Sequence, residues 1–177
     1  QREAIRTRLL TAVVKFWVCK RAPAFLYEAM ECLGGNGYVE DSLLPRLYRE
    51  APVNAIWEGS GNVMCLDVLR ALAQDADAAR MVIESLVDDT AGLPGAREAE
   101  TLVGAVLSER DGEAHARVAV ERLALLAAAA ALRMGAPENI AELFARTRLQ
   151  QPQGAMLGTS RLDTRESTAI LQRTLPA

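Results

Sequence analysis

The residues best suited to chemistry lie close together, and the most suggestive are in residues 56–61, which read IWEGSG. Glu58 is a carboxylate placed between an indole and a glycine, just before an apolar stretch of helical period. A carboxylate with apolar neighbours is typical of a general base, and the adjacent Gly59 leaves room for a substrate. Acids that cap the start of a helix are also common, so the hexapeptide alone leaves both interpretations open.

A second candidate is the glycine cluster at residues 34–37, which reads GGNG and follows a predicted helix. Glycines allow a ligand to approach the backbone closely, and exposed N–H groups can hold a phosphate. Glycine also ends helices that bind nothing, and that is the better interpretation for the glycines alone. Arg46 and Arg49, in the loop that follows, suit either a bound pyrophosphate or a structural ion pair.

Helices must position these candidates. Apolar residues three and four apart predict a helix from the first residues to Leu33, and we expect Pro23 to kink it rather than end it. Residues 38–60 read as an extended connection with a short helical turn at 43–48, because Pro45 and Pro52 oppose a long helix. Further helices are predicted at about 61–73, 77–88, 96–109, 113–134, 138–149 and 163–174.

Composition favours an all-α chain. Half of the 177 residues are hydrophobic, aromatic residues make up only 5%, and alanine runs are frequent. The formal net charge of −3 does not suggest a whole surface attracted to nucleic acid or membrane. Three cysteines without CxxC spacing predict reduced thiols in a cytoplasmic protein, and a single histidine excludes a His-rich metal site. The opening Gln1 stands within a helical pattern, so we expect a fragment of a longer protein.

Taken together, residues 28–72 resemble the acyl-CoA dehydrogenase family. The resemblance rests on LGGNGY, an arginine about a dozen residues further on, and IWEGS; the forms PRLYRE, IWEGSGN and MCLDVLR resemble its AidB-like subgroup. It is strong over about the first 75 residues. It implies an all-α helical bundle in which residues 1–75 are part of the family's C-terminal helical domain. Residues 76–177 would then be an AidB-like helical extension.

The resemblance also implies a reaction. Family members remove two hydrogens from an acyl-CoA, with a glutamate taking the α proton and FAD receiving the β hydrogen as hydride. Glu58 matches that glutamate, its backbone N–H would polarise the thioester carbonyl, and Trp57 and Gly59 would line the substrate pocket. The family's glycine motif meets the FAD of a neighbouring subunit in a dimer or tetramer. The residues matched to FAD contacts are Gly34, Gly35, Gly37, Ser60 and Asn62.

One departure and two conditions qualify this picture. Glu31 stands where the family has a glutamine, and a carboxylate cannot donate as an amide does. The enzymatic interpretation requires Glu58 to lie near the glycine-terminated helix, presented to a substrate rather than to solvent. The isolated chain is expected to bind FAD weakly and to show no turnover, because the other domains of the family supply most of the flavin site.

Two other interpretations remain open. AidB-like proteins are associated with DNA binding through their C-terminal helices, and such a flavoprotein would have little dehydrogenase turnover. Residues 117–177 carry a mild basic excess from Arg117, Arg122, Arg133, Arg146, Arg148, Arg161, Arg165 and Arg173. The chain could instead be an oligomerisation module with a decayed site. Outside the motifs we expect Cys65 to be a packing residue and Met30, Met64 and Met134 to fill the core.

Overall fold

A computed structural model of the chain describes residues 2–150 and 157–174, and these residues contain helices and no strand. The predicted all-α class is therefore confirmed. The α-helices of the described ranges are α1 Arg2–Glu31, α2 Gly35–Tyr38, α3 Leu44–Glu50, α4 Gly61–Gln74, α5 Ala76–Asp89, α6 Ala96–Ser108, α7 Ala116–Gly135, α8 Glu138–Phe144 and α9 Thr164–Thr174. Short 3-10 turns at Ala51–Ala55 and Gly112–His115 and a π-helical turn at Ala145–Gln150 connect them.

The long helix α1 is the support on which the first third of the chain is built. It continues past Pro23, as we predicted, so this proline costs one backbone hydrogen bond without ending the helix. The helix packs against α3, the 3-10 turn at Ala51–Ala55, α4, α5 and α7. Packing on several sides offsets the weak point that the proline introduces.

The connection between α1 and α4 is more helical than the sequence suggested. We predicted extended chain with one short turn, whereas α2, α3 and a 3-10 turn occupy much of it. Pro45 and Pro52 each lie in the first turn of one of these elements. A proline at that position loses no hydrogen bond and has a suitable φ, so these prolines begin short helices instead of preventing them.

The core is one buried cluster formed by α1, α4, α5, α6, α7 and the π-helical turn. Val68 and Leu86 belong to it and lie on either side of residue 75, where we expect a boundary between two units; that boundary stays a prediction. Alanines 119, 129 and 130 of α7 are buried within it, and their small side chains let neighbouring helices approach closely. In the described part of the chain, no helix is both long and apolar enough to cross a membrane.

Helix ends follow the sequence signals closely. The predicted capping box is present, since Asp163 Oδ1 accepts from the Glu166 N–H at 2.8 Å and Glu166 Oε2 accepts from the Asp163 N–H at 3.0 Å.

Met30 and Met64 are buried, as predicted. Met134 is 81% exposed, so its assignment to the core was wrong; it lies in the last turn of α7, beyond the buried part of that helix.

Candidate functional site

The turn that carries Glu58 has an unusual backbone. Glu58 has φ +55°, the only positive φ of a non-glycine residue in the described ranges, and Gly59 follows with φ +112°. A left-handed conformation costs an L-residue about 1–2 kcal/mol. Strain of this kind persists only where the surroundings impose it, and it is common at functional sites. The backbone thus singles out the same glutamate as the sequence.

Helix α1 holds this turn through Lys15. The Lys15 ammonium donates to the carbonyl oxygens of Trp57 and Glu58, at 3.3 and 3.5 Å, and lies 3.7 Å from Glu58 Oε2. The Glu58 side chain is nevertheless 71% exposed. We expected Glu58 to lie near the glycine-terminated helix and to face a substrate rather than solvent. The first condition is met, because the carboxylate lies close to Lys15 of α1. The second is not met within this chain, because the carboxylate is open to solvent.

The peptide groups around Glu58 differ in their hydrogen bonding. The N–H groups of Ile56 and Trp57 both donate to the Val53 carbonyl at 3.0 Å, and the Ile56 bond closes the end of the 3-10 turn. The N–H of Glu58 has no acceptor among residues 2–150 and 157–174. The Trp57 side chain beside it is 56% exposed. A free donor, a carboxylate and an open indole face therefore lie side by side.

The glycine cluster divides into two parts with different roles. A Cβ added at Gly34 or Gly35 would meet no atom within 4 Å, and Gly34 has φ +57°. A Cβ at Gly37 would lie 2.1 Å from the Met30 carbonyl oxygen. Gly37 is thus required for the packing of α2 on the end of α1, while Gly34 and Gly35 present backbone that a ligand could approach.

The start of α4 contains the other two predicted contact residues. Ser60 precedes the helix in an extended conformation, and its hydroxyl makes no capping hydrogen bond. Asn62 Oδ1 accepts from Arg117 Nε of α7 at 2.6 Å. A side chain placed at Gly61 would contact Lys20 and Arg117, at 3.4 and 3.5 Å.

Sequence did not predict Lys15 or Arg117 as neighbours of this segment, and Arg117 was counted only toward the basic excess of residues 117–177. Both come from other helices and reach this segment only through the tertiary fold. Charge at helical spacing is too common to have indicated these contacts in advance.

The arginines of the loop are engaged in ion pairs. Arg49 donates to both carboxylate oxygens of Glu40, and this hydrogen bonding keeps the pKa of Glu40 below its ordinary value. Arg46 Nε donates to Glu50 at 2.8 Å within α3. The structural alternative that the sequence left open for these two arginines is the one observed.

The two parts of the predicted site lie far apart along α1. Glu58 contacts Lys15 near the middle of the helix, whereas the glycine cluster follows its last residue, Glu31. About sixteen residues at about 1.5 Å each separate these points by roughly 24 Å. Within one chain, Glu58 and the glycine cluster therefore do not line one small pocket.

The fold and this geometry define an all-α bundle that presents a strained glutamate on the turn before a core helix, next to a glycine-terminated helix. Residues 1–73 match the family model described as acyl-CoA dehydrogenase, C-terminal domain. This matched segment, residues 1–73, therefore belongs to the acyl-CoA dehydrogenase family.

Individual relatives agree with this assignment. The chain is 58% identical over 87 residues to the putative acyl-CoA dehydrogenase AidB of Escherichia coli (strain K12), which is 49% of this chain and 16% of AidB. It is 49% identical over 71 residues to acyl-CoA dehydrogenase family member 11 of Caenorhabditis elegans, covering 40% of this chain and 12% of that protein. The chain thus spans less than a fifth of either relative.

A solved structure extends the likeness beyond the matched segment. The structure described as Bd2924 apo-form superposes with a TM-score of 0.66 at 35% identity and covers 75% of this chain and 26% of its own. The family model ends at residue 73, so the shared fold continues into the helices that follow.

Proposed function

We propose that this chain supplies the catalytic base and part of the flavin site of an FAD-dependent acyl-CoA dehydrogenase. The observation that carries the proposal is the strained, open turn at Glu58, in a segment that matches the family. Its carboxylate would take the α proton of the acyl thioester onto Oε1 or Oε2. The adjacent, unpaired N–H of Glu58 would donate to the thioester carbonyl oxygen, where negative charge develops as the proton leaves.

The residues present fit a flavin cofactor in part. Gly34 and Gly35 have open space where a side chain would be, and Ser60 has an unused hydroxyl, which suits close approach and hydrogen bonding by a ligand. Gly37 is accounted for by packing on Met30, and Asn62 already accepts from Arg117. A bound flavin would accept the β hydrogen as hydride. Trp57 and Gly59 would form the wall next to the acyl group.

Assembly with further copies is part of the proposal. The glycine cluster and Glu58 are separated by roughly 24 Å along α1, so they would serve different flavins, one in each of two subunits. Large apolar side chains are exposed around the glycine cluster, including Leu33 at 52% and Tyr38 at 78%. Exposed apolar surface of this kind supports a covering partner.

The direct test replaces Glu58 by Gln in a full-length protein that carries this segment. Because a general base contributes about 10²–10⁴-fold, reduction of bound flavin by acyl-CoA should slow by at least 100-fold, while flavin content stays normal. Glu50→Gln is the matched control, since it removes an exposed, ion-paired carboxylate from the neighbouring helix α3. If flavin reduction keeps its rate in the Glu58 variant, the base lies elsewhere.

The DNA-binding alternative gains little from the structure. Five of the eight arginines counted toward it make internal contacts: Arg117, Arg122, Arg133, Arg146 and Arg148. Binding by the remaining three would release few counterions, so it would be weak and only mildly dependent on salt. A gel shift by the full-length protein that falls steeply with salt would favour the alternative.

A further inference from the structure

A cavity far from Glu58 lies among α7, α8, α9 and the π-helical turn. Its volume is about 320 Å³, which is within the range of small-molecule sites. Its walls are mainly apolar, with Leu132, Ile140, Phe144 and Ile170 among them. None of its lining residues belongs to the segment from the glycine cluster to Asn62, so the cavity is separate from the proposed active site.

One charged side chain lines this cavity. Arg148 is half-buried, and its guanidinium donates to the neutral hydroxyl of Ser160 at 3.1 Å, which is also a lining residue. Burial, together with the like charge of Arg21, lowers the pKa of Arg148. Within the described ranges no carboxylate lies within ion-pair distance of it. A guanidinium has five N–H donors in a planar fork, so most of its donors stay available.

A neighbouring arginine has the carboxylate partner that Arg148 lacks. Arg146, two residues earlier on the same π-helical turn, pairs with Glu166 of α9. Arg122 donates to the carbonyl oxygens of Arg148 and Leu149, at 3.4 and 3.1 Å. Partly burying a cation without an opposite charge is unfavourable, and a π-helical turn often marks a functional site. These two features coincide at the polar end of an apolar cavity.

We propose that this cavity binds a small amphiphile consisting of an apolar chain and a carboxylate head. The carboxylate would receive two parallel N–H bonds from Arg148, the geometry for which guanidinium is suited, and a further bond from the Ser160 hydroxyl. The apolar chain would lie between α8 and α9, against Phe144 and Ile170. A free carboxylate is the expected head, because it matches both the single charge and the flat fork of the arginine.

Calorimetric titration of the 177-residue chain with octanoate tests the proposal, with octanol as the uncharged probe of the same length. We expect octanoate to bind one to one and at least tenfold more tightly than octanol. Arg148→Met should weaken octanoate binding at least tenfold and leave octanol binding unchanged. Arg165→Met is the matched control, because it removes an exposed arginine of α9 outside the cavity, and it should bind both probes as the parent chain does.

A second variant tests the apolar wall independently. Ile170→Trp fills the cavity from the exposed helix α9, where a larger side chain is tolerated, and it should weaken both probes by a similar factor. Thermal unfolding of each variant shows whether it is folded. The proposal is overturned if octanoate does not bind at millimolar concentration, if it binds no better than octanol, or if Arg148→Met keeps the affinity of the parent chain.

Discussion

At the residue scale, Glu58 combines a functional carboxylate with an unfavourable backbone conformation. An L-residue at φ +55° bears a penalty of about 1–2 kcal/mol, which glycine avoids. Glycine in turn has more conformational entropy to lose on folding, which costs about 0.5–1 kcal/mol. We therefore expect Glu58→Gly to unfold in urea with a free energy about 0.5–1 kcal/mol above that of Glu58→Gln. Both variants lack the carboxylate next to Lys15, so the comparison isolates the backbone. A less stable glycine variant would show that the turn is unstrained.

The candidate residues were recognisable from sequence because LGGNGY followed by IWEGS resembles the acyl-CoA dehydrogenase family, although neither motif was decisive alone. What the sequence could not supply was their surroundings. Lys15 of α1 reaches the Glu58 turn through a bond to Trp57, 42 positions further along the chain. Arg117 of α7 bonds to Asn62, which lies 55 positions before it. Contacts of that range depend on how helices pack, and a local pattern does not encode them.

At the element scale, the glycines of the cluster have different roles: Gly37 is needed for packing, whereas Gly34 and Gly35 leave space for a ligand. A Cβ at Gly37 would lie 2.1 Å from the Met30 carbonyl oxygen, so Gly37→Ala must move α2 away from α1, at a cost of about 1–3 kcal/mol. Gly35→Ala meets open space within helix α2, so it should keep the stability of the parent chain or raise it by up to about 1 kcal/mol, because alanine loses less backbone entropy on folding. Urea unfolding of the pair measures the difference. Equal stability would contradict the packing assigned to Gly37.

The helices themselves were predictable where apolar residues recur at helical spacing. The ends of α4, α5 and α6 fall within about two residues of the predicted ones, and the capping box of α9 is present. The segment between α2 and α4 was harder, because Pro45 and Pro52 oppose a helix that contains them but favour one that begins at them. Sequence alone does not distinguish these positions.

At the scale of the whole molecule, one buried cluster contains residues from both sides of the boundary that the sequence predicts near residue 75, and that boundary stays a prediction. Composition changes near residue 75, yet α4 and α5 contribute to the same buried cluster as α7. Arg6 of α1 also reaches across to Asp89 of α5, at 2.7 Å. The boundary is predicted from composition and breaker residues, and the sharing of one core by the apolar faces on both sides of it is a property that only the folded chain reveals.

Cys65 lies fully buried in this core, so the ionisation of its thiol is coupled to the free energy of unfolding of the chain. Burial raises the pKa of the Cys65 thiol from 9.0 to about 11, an effect that the charges of Arg117 and Lys20 partly oppose. The folded state therefore favours the neutral thiol. Its contribution to stability is complete below about pH 9 and decreases as pH rises toward 11, because the unfolded thiol ionises first.

Urea unfolding of the parent chain and of Cys65→Ala at a series of pH values measures this contribution. Lysines and tyrosines also titrate in this range, but they are common to both proteins and cancel in the difference. The stability advantage of the parent chain over Cys65→Ala should be constant below pH 9 and shrink between pH 9 and 11. A difference that stays constant through pH 11 would mean that the thiol ionises as easily in the folded chain as in the unfolded one, and that α4 does not seal the core.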